Sequence, residues 1–323
     1  MIISTGEVCK HMDTILKTYE NDYMASTYVY AFQMEDDENI IDYLSALADK
    51  IGLKNFIIRS DTMKFNMINP TYKDQAQFKY DIEQETLSHI KAITDRYSAH
   101  FLELRTCSPS IFMTNEFMEQ YLKSIIQMNT DPESFSCKLA LLDGPMYLYR
   151  TTYVSNMPQS YNYPAVAEAI DIAIQNYAKQ IGVPVKELMR MPVLILGRSK
   201  FVGKAIGDYL SDMYDAPVMY TNRNTRMKDI QKLMSIARVV INTVPAAGYI
   251  SEITYLTENR QLFIDIGGSY TMSGNIAEGI MVNKLSDHQN LDFIRAKGGI
   301  GPITLRILLM RAYTIKTKLE EIV

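Results

Sequence analysis

Apolar residues recur along this chain at two spacings, one helical and one strand-like. Val8, Met12, Ile15, Leu16 and Tyr19 fall on one face of a predicted first helix. Thr27 to Gln33 is β-branched and aromatic, as a strand requires. An acidic turn, Glu35 to Glu38, then leads into a helix with Ile40, Ile41, Leu44, Leu47 and Ile51 on its apolar face and Gly52 as its stop. Strands are predicted at Asn55 to Arg59 and His100 to Leu104, and a strand or buried loop at Lys138 to Leu142. Helices are predicted at Tyr80 to Tyr97 and Asn115 to Met128. Arg150 to Tyr163 reads as a crossing loop. Pro164 opens a helix whose face is Val166, Ile170, Ile174 and Tyr177, closed by Gly182.

The second half alternates more cleanly. Strands are predicted at Pro192 to Leu196, Pro217 to Tyr220, Arg238 to Thr243 and Leu262 to Ile266, with helices at Phe201 to Leu210 and Met227 to Ile236. A last helix runs from Thr304 to Leu319. Repeated β-α-β units argue for an α/β fold built on a doubly wound, Rossmann-like parallel sheet. The expected division is a smaller N-terminal α/β domain over residues 1–160, a nucleotide-binding domain over 161–303, and a C-terminal helix, 304–323, packing back on the first domain.

Composition narrows the class. Of 323 residues, 47% are hydrophobic and 22% charged, as in a soluble globular protein. A net charge of −4 carries no basic footprint for nucleic acid. Cys9, Cys107 and Cys137 form no metal-ligand pattern with the four histidines, so no metal is expected, and a reducing compartment is. No apolar run reaches membrane-spanning length, and Glu7 and Lys10 interrupt any leader-like pattern. The expectation is a cytoplasmic protein with a small-molecule substrate.

The polar residues that follow each strand of the second half supply the chemistry. In a doubly wound sheet, ligands bind beyond the carboxyl ends of the strands. Those ends here carry Gly197, Arg198 and Ser199, with Gly203 in the following helix; Asn222 and Arg223; Thr243, Val244 and Pro245; and Gly267-Gly268. The glycine spacing G-x-S-x-x-x-G departs from the full dinucleotide fingerprint, so the four ends together carry the argument. After the second strand an NAD site commonly has a carboxylate for the ribose 2′-hydroxyl. Asn222, Arg223 and the nearby Arg198 suit a 2′-phosphate instead, which points to NADP, with NAD as the alternative. A second glycine-rich approach, Lys297 to Gly301, feeds the last helix and makes Gly299, Ile300 and Thr304 cofactor candidates.

GRSKFVGKAIGDYL, TNRNT, VVINTVPAAGYI, FIDIGGSY and GGIGPITLRILL resemble, in order and spacing, the motifs of the methylenetetrahydrofolate dehydrogenase/cyclohydrolase (FolD-like) family: G-[RA]-S-x-x-V-G-x-P, an H-S-R-T-like turn, A-V-G-K-P-G-F-I, V-I-D-V-G-I-N and P-G-G-V-G-P-M-T. The first half resembles the family in layout. The resemblance implies an NADP-dependent oxidoreductase acting on a folate-like substrate, dimeric through its nucleotide domains. The family's Y-x-x-x-K motif, with a tyrosine against the folate and a proton-transferring lysine, falls on Ile40 and Leu44 when anchored on Gly52, or on Tyr43 and Leu47 when anchored on the tyrosine. Neither register has a lysine. The family's V-Q-L-P-L-P strand resembles HFLELRTCS, with Glu103 at the glutamine position, and its D-V-D-G resembles Leu141 to Gly144, with Asp143 as the pterin-holding aspartate. Tyr43, Glu103 and Asp143 are therefore the catalytic candidates. Without the lysine, dehydrogenase chemistry is expected and cyclohydrolase activity is expected to be weak or absent. A dehydrogenase for another small substrate and a non-catalytic nucleotide-binding protein remain open.

Overall fold

The computed structural model describes residues 1–19, 27–34, 40–52, 59–65, 100–105, 139–141, 159–199, 202–253, 259–267, 269–270, 276–285 and 288–320. The chain divides into two compact units. One comprises Met1–Met12 and Pro164–Ile307, the other Asp13–Tyr163 and Leu308–Val323.

Helix α1 (Gly6–Leu16) has residues in both units. Its buried side chains are Cys9, Met12 and Leu16, so Cys9 takes the inward position expected of Val8. The unit centred on residues 13–163 holds β1 (Thr27–Met34), α2 (Ile40–Ile51), β2 (Arg59–Phe65), β3 (His100–Arg105) and β4 (Leu139–Leu141). The four strands form one parallel sheet in the order β2-β1-β3-β4. β2 starts at Arg59, where the strand expected at Asn55 to Arg59 ends; residues 55–58 lie outside the described set, as do the helices expected at Tyr80 to Tyr97 and Asn115 to Met128. On α2, Leu44, Leu47, Ala48 and Ile51 are buried at the spacing of one helical face. A 3₁₀ turn, Gln159–Asn162, is tied to the last helix through the buried Arg311, which donates to the carbonyls of Tyr163 (2.8 Å) and Ser160 (3.0 Å).

The second unit is built on α3 (Ala165–Gln180), α4 (Val185–Met189), β5 (Val193–Leu196), α5 (Gly203–Tyr214), β6 (Val218–Tyr220), α6 (Met227–Ile236), β7 (Val239–Asn242), β8 (Gln261–Asp265), β9 (Ser269–Tyr270), β10 (Ile276–Ala277), α7 (Val282–Leu285), β11 (Leu291–Ile294) and the start of α8 (Gly301–Glu320). Five strands make a parallel sheet in the order β11-β8-β7-β5-β6. β5, β7 and β8 are buried at every position, as expected for central strands covered on both faces, and so is β11 at the edge of the five. Leu194, Val240, Phe263 and Phe293 pack with Ile230 and Met234 of α6 into one core. Each such side chain contributes about 1.5–3 kcal/mol by leaving water. The first residues extend the sheet: Ile3 N–H donates to the Phe293 carbonyl and Phe293 N–H to that of Met1, both at 2.8 Å.

From β5 the chain moves outward to β6, and then returns past β5 to β7. The strand order therefore reverses between β5 and β7, where a doubly wound sheet opens a crevice at its carboxyl edge. Opposite the core, α3 meets α5 through the buried Asp171, which accepts from the hydroxyls of Tyr209 (2.8 Å) and Tyr214 (2.5 Å). Burial and the neighbouring Asp171 carboxylate push both phenols above their usual range.

Candidate nucleotide-binding site

The carboxyl ends of β5, β6 and β7 are stitched together at this reversal. Gly197 leaves β5 with φ of 100°, a left-handed conformation that suits glycine. Its N–H donates to Thr221 Oγ1 (3.3 Å), just past β6. From beyond β7, Thr243 donates both its N–H (3.0 Å) and its hydroxyl (2.8 Å) to the Leu196 carbonyl. The turn then closes on α5: Gly203 N–H donates to Ser199 Oγ (3.3 Å) and Lys204 N–H to the Ser199 carbonyl (2.8 Å). A β-carbon on Gly203 would lie 2.3 Å from the Gly197 oxygen, so the helix starts too close to the turn for any side chain. Gly197, Ser199, Gly203 and Thr243 thus form one wall, against which Val244 also packs. The wall stands at the amino end of a three-turn helix, whose dipole favours an anion, although the Gly203 and Lys204 N–H groups are already taken by Ser199.

Two arginines flank it. Arg198 is exposed and lies over the Tyr220 ring at 5.9 Å, a cation–π distance. Burial, and next the Asp208 carboxylate, push the Tyr220 phenol up to about 12. Arg223 is exposed in the turn after β6. Asn222 shapes that turn, its Oδ1 accepting from Asn224 N–H at 2.8 Å. Residues 221–225 contain no carboxylate.

A polar cluster beneath the wall was not foreseen. Asn242 ends β7 and Asp265 ends β8, and strand register sets them side by side. Asn242 Nδ2 donates to Asp265 Oδ1 (2.9 Å), and Asn242 Oδ1 accepts from Val244 N–H (3.2 Å). Asp265 also accepts from the N–H groups of Gly267 (3.1 Å) and Ile280 (2.9 Å). Two buried side chains therefore hold three loops. The signal lay in single polar residues ending apolar strands, VVIN and LFID.

Gly299, Ile300 and Thr304 form a second cluster at the start of α8. Thr5 Oγ1 donates to the carbonyls of Gly298 and Gly299, each at 3.1 Å. Ile300 is buried, and the Thr304 hydroxyl turns back to the Ile300 carbonyl (3.1 Å). The Thr304 N–H donates to the same carbonyl (3.0 Å), so both of its donors are met within the turn. Pro245 is exposed beyond β7.

The catalytic candidates belong to the other unit. Tyr43 is 45% exposed on α2, whereas Leu44 and Leu47 are 1% and 9% exposed. Glu103 sits mid-strand in β3, in register with Tyr30 of β1 and Leu141 of β4. Asp143 lies outside the described residues. Among the described residues no cluster of potential ligands could hold a metal, and no helix is long and apolar enough to cross a membrane.

Residues 171–320 match the tetrahydrofolate dehydrogenase/cyclohydrolase NAD(P)-binding domain. The bifunctional protein FolD of Clostridium beijerinckii is 22% identical over 230 residues, 71% of each chain. The bifunctional FolD methylenetetrahydrofolate dehydrogenase/cyclohydrolase of Campylobacter jejuni shares the fold, with a TM-score of 0.62 over 98% of both chains at 14% identity. So does the NAD-dependent 5,10-methylenetetrahydrofolate dehydrogenase of Saccharomyces cerevisiae, with a TM-score of 0.59, 14% identity, and coverage of 99% of this chain and 98% of that one.

Proposed function

From the match of residues 171–320 to the tetrahydrofolate dehydrogenase/cyclohydrolase NAD(P)-binding domain, we propose that the chain is a member of that family and an NADP-dependent oxidoreductase of 5,10-methylenetetrahydrofolate with little or no cyclohydrolase activity. The observation that carries the cofactor reading is the wall at the strand-order reversal, where a Gly203 β-carbon would collide with the Gly197 oxygen. Such a cradle lets main chain approach a pyrophosphate closely. The residues present fit a nicotinamide dinucleotide: Gly197, Ser199 and Gly203 for the phosphates, Thr243, Val244 and Pro245 beyond the reversal, and Gly299, Ile300 and Thr304 at the second glycine-rich turn. NADP⁺, when bound, supplies the hydride acceptor. Arg198 and Arg223 bind the 2′-phosphate as fixed cations, with Tyr220 bracing Arg198 from below. The absence of a carboxylate at 221–225 removes the group that would repel that phosphate.

On the substrate side, Tyr43, Glu103 and Asp143 position the folate-like ligand. Oxidation of the methylene carbon yields a cation stabilised by its neighbouring nitrogens, so placement matters more there than proton transfer. Hydrolysis of the resulting methenyl group needs acid–base help, and leucines stand at both candidate lysine positions. The same leucines favour a second reading, a non-catalytic nucleotide-binding protein of this family. The first reading carries with it a homodimer in the cytoplasm.

One assay separates the two. NADPH formation from 5,10-methylenetetrahydrofolate is followed by absorbance, alongside NADP⁺ and NAD⁺ titrations of Arg223→Ala. The variant is expected to lose about tenfold in NADP⁺ affinity, the size of one charge-assisted hydrogen bond, while NAD⁺ affinity holds. NADP⁺ binding without turnover selects the second reading. An unchanged preference between the two cofactors refutes the phosphate assignment.

A further inference from the structure

A hollow of about 480 Å³ opens on the far side of the strand-order reversal from Arg198 and Arg223. Its wall is drawn from residues beyond the carboxyl ends of β7 and β11: Ala247 and Gly248 on one side, Arg295 and Lys297 on the other, with Glu278 and Met281 between them. The volume is that of a small-molecule site. Three ionisable groups in its wall give one excess positive charge. Arg295 and Glu278 are paired through Nε and a carboxylate oxygen, which fixes the guanidinium plane and leaves the Nη donors of its fork for another acceptor. Lys297 is exposed, and at its position the family motif P-G-G-V-G-P-M-T has a proline. Ala247 and Gly248 keep the facing wall low, and the Met281 side chain, 36% exposed, offers apolar surface.

A fixed guanidinium beside a mobile ammonium, above a thioether, suits a carboxylate on a short aliphatic stem. In a doubly wound sheet the second half of the strand order faces the nicotinamide end of a dinucleotide. We propose that Arg295 and Lys297 form a subsite for a small carboxylate, while Glu278 holds Arg295 in place. The subsite's placement beside the nicotinamide end rests on the cofactor reading above; its anion chemistry does not.

The test uses the full-length protein with glutarate and, separately, inorganic phosphate as probes, titrated by calorimetry with and without NADP⁺. Glutarate is expected to bind the wild type and to bind Lys297→Gln and Arg295→Gln/Lys297→Gln at least about fivefold more weakly, with NADP⁺ affinity unchanged in both. Lys297→Gln alone keeps the test informative, because it leaves the Arg295–Glu278 pair intact. Equal glutarate affinity in wild type and Lys297→Gln overturns the subsite. Tighter binding of phosphate than of glutarate overturns the carboxylate assignment. A parallel fall in NADP⁺ affinity overturns the separation from the cofactor. Failure of the wild type to bind NADP⁺, with glutarate binding intact, sinks the cofactor reading and leaves the anion site standing.

Discussion

Asp265 makes the sharpest claim on stability. Its side chain is 1% exposed and accepts three hydrogen bonds, from Asn242 Nδ2 and from the N–H groups of Gly267 and Ile280. Asp265→Ala removes every acceptor and leaves three donors in a dry site. A buried donor left unsatisfied costs about 1–3 kcal/mol, so the three together cost about 3–9 kcal/mol. Water entering the vacated volume brings the value toward the lower end, still a large share of the ~5–15 kcal/mol that holds a typical domain folded. Asp265→Asn keeps the shape and one acceptor oxygen. Its amide then faces a backbone N–H that the lost oxygen had served, which predicts about 1–3 kcal/mol.

Urea titration followed by far-ultraviolet circular dichroism reads the order wild type, Asp265→Asn, Asp265→Ala in falling midpoint with a constant slope. Amide exchange adds a local readout: Val244, Gly267 and Ile280 should lose protection first in Asp265→Asn, because the same cluster holds all three. A loss below about 1 kcal/mol in Asp265→Ala, or exchange at these amides unchanged in Asp265→Asn, would refute the reasoning that two side chains pin the loops.

Asp292 predicts an acid-sensitive step. Burial alone would raise its carboxyl, but hydrogen bonds from Arg260 and then from Tyr177 (2.8 Å) outweigh it and hold the group below the usual carboxylate range. A folded-state value below the unfolded one, about 3.9, means that its contribution is complete above that pH and drains away as pH falls through the folded value. Asp292→Asn should therefore flatten the acid limb of the urea midpoint against pH; an identical acid limb in the two proteins counts against the pairing. For the reaction, turnover of 5,10-methenyltetrahydrofolate should fall short of an acid–base-assisted cyclohydrolase by about 10²–10⁴-fold, the usual worth of such a group. Turnover at the level of a FolD with its lysine would show that another residue moves the proton.

The nucleotide-binding sheet was legible because its signals are local. Four apolar runs each end in small or polar residues, and α6 falls on Met227–Ile236 as the periodicity requires. β11 was not read because Asp292 interrupts LDFI, and a charge inside a four-residue strand is intelligible only once Arg260 and Tyr177 are seen to meet it. Asn242 and Asp265 were passed over for a related reason. Each reads as an ordinary strand-end residue, and only the parallel register of β7 with β8 makes them a pair. Thr304 shows the same dependence on pairing: its hydroxyl, which the sequence offers to a ligand, donates to the Ile300 carbonyl. Pairing between elements, which sequence spacing does not encode, separates what was seen from what was not.

The same logic bears on the missing lysine. The two ways of laying the tyrosine–lysine motif on α2 predict different faces of one helix. Anchored on Gly52, the lysine position is Leu44, which at 1% exposure lies in the middle of the stripe made with Leu47, Ala48 and Ile51. An ammonium there would be buried among the apolar side chains of that stripe, at a cost that works against a charged proton donor. Anchored on Tyr43, the tyrosine is exposed and the lysine position, Leu47, lies one turn further on at the margin of the same stripe. A long side chain at that margin could carry its charge outward along an apolar stem. The burial pattern of α2 therefore favours the Tyr43 register. In that register the residue at the lysine position is Leu47, whose apolar side chain has no proton to move.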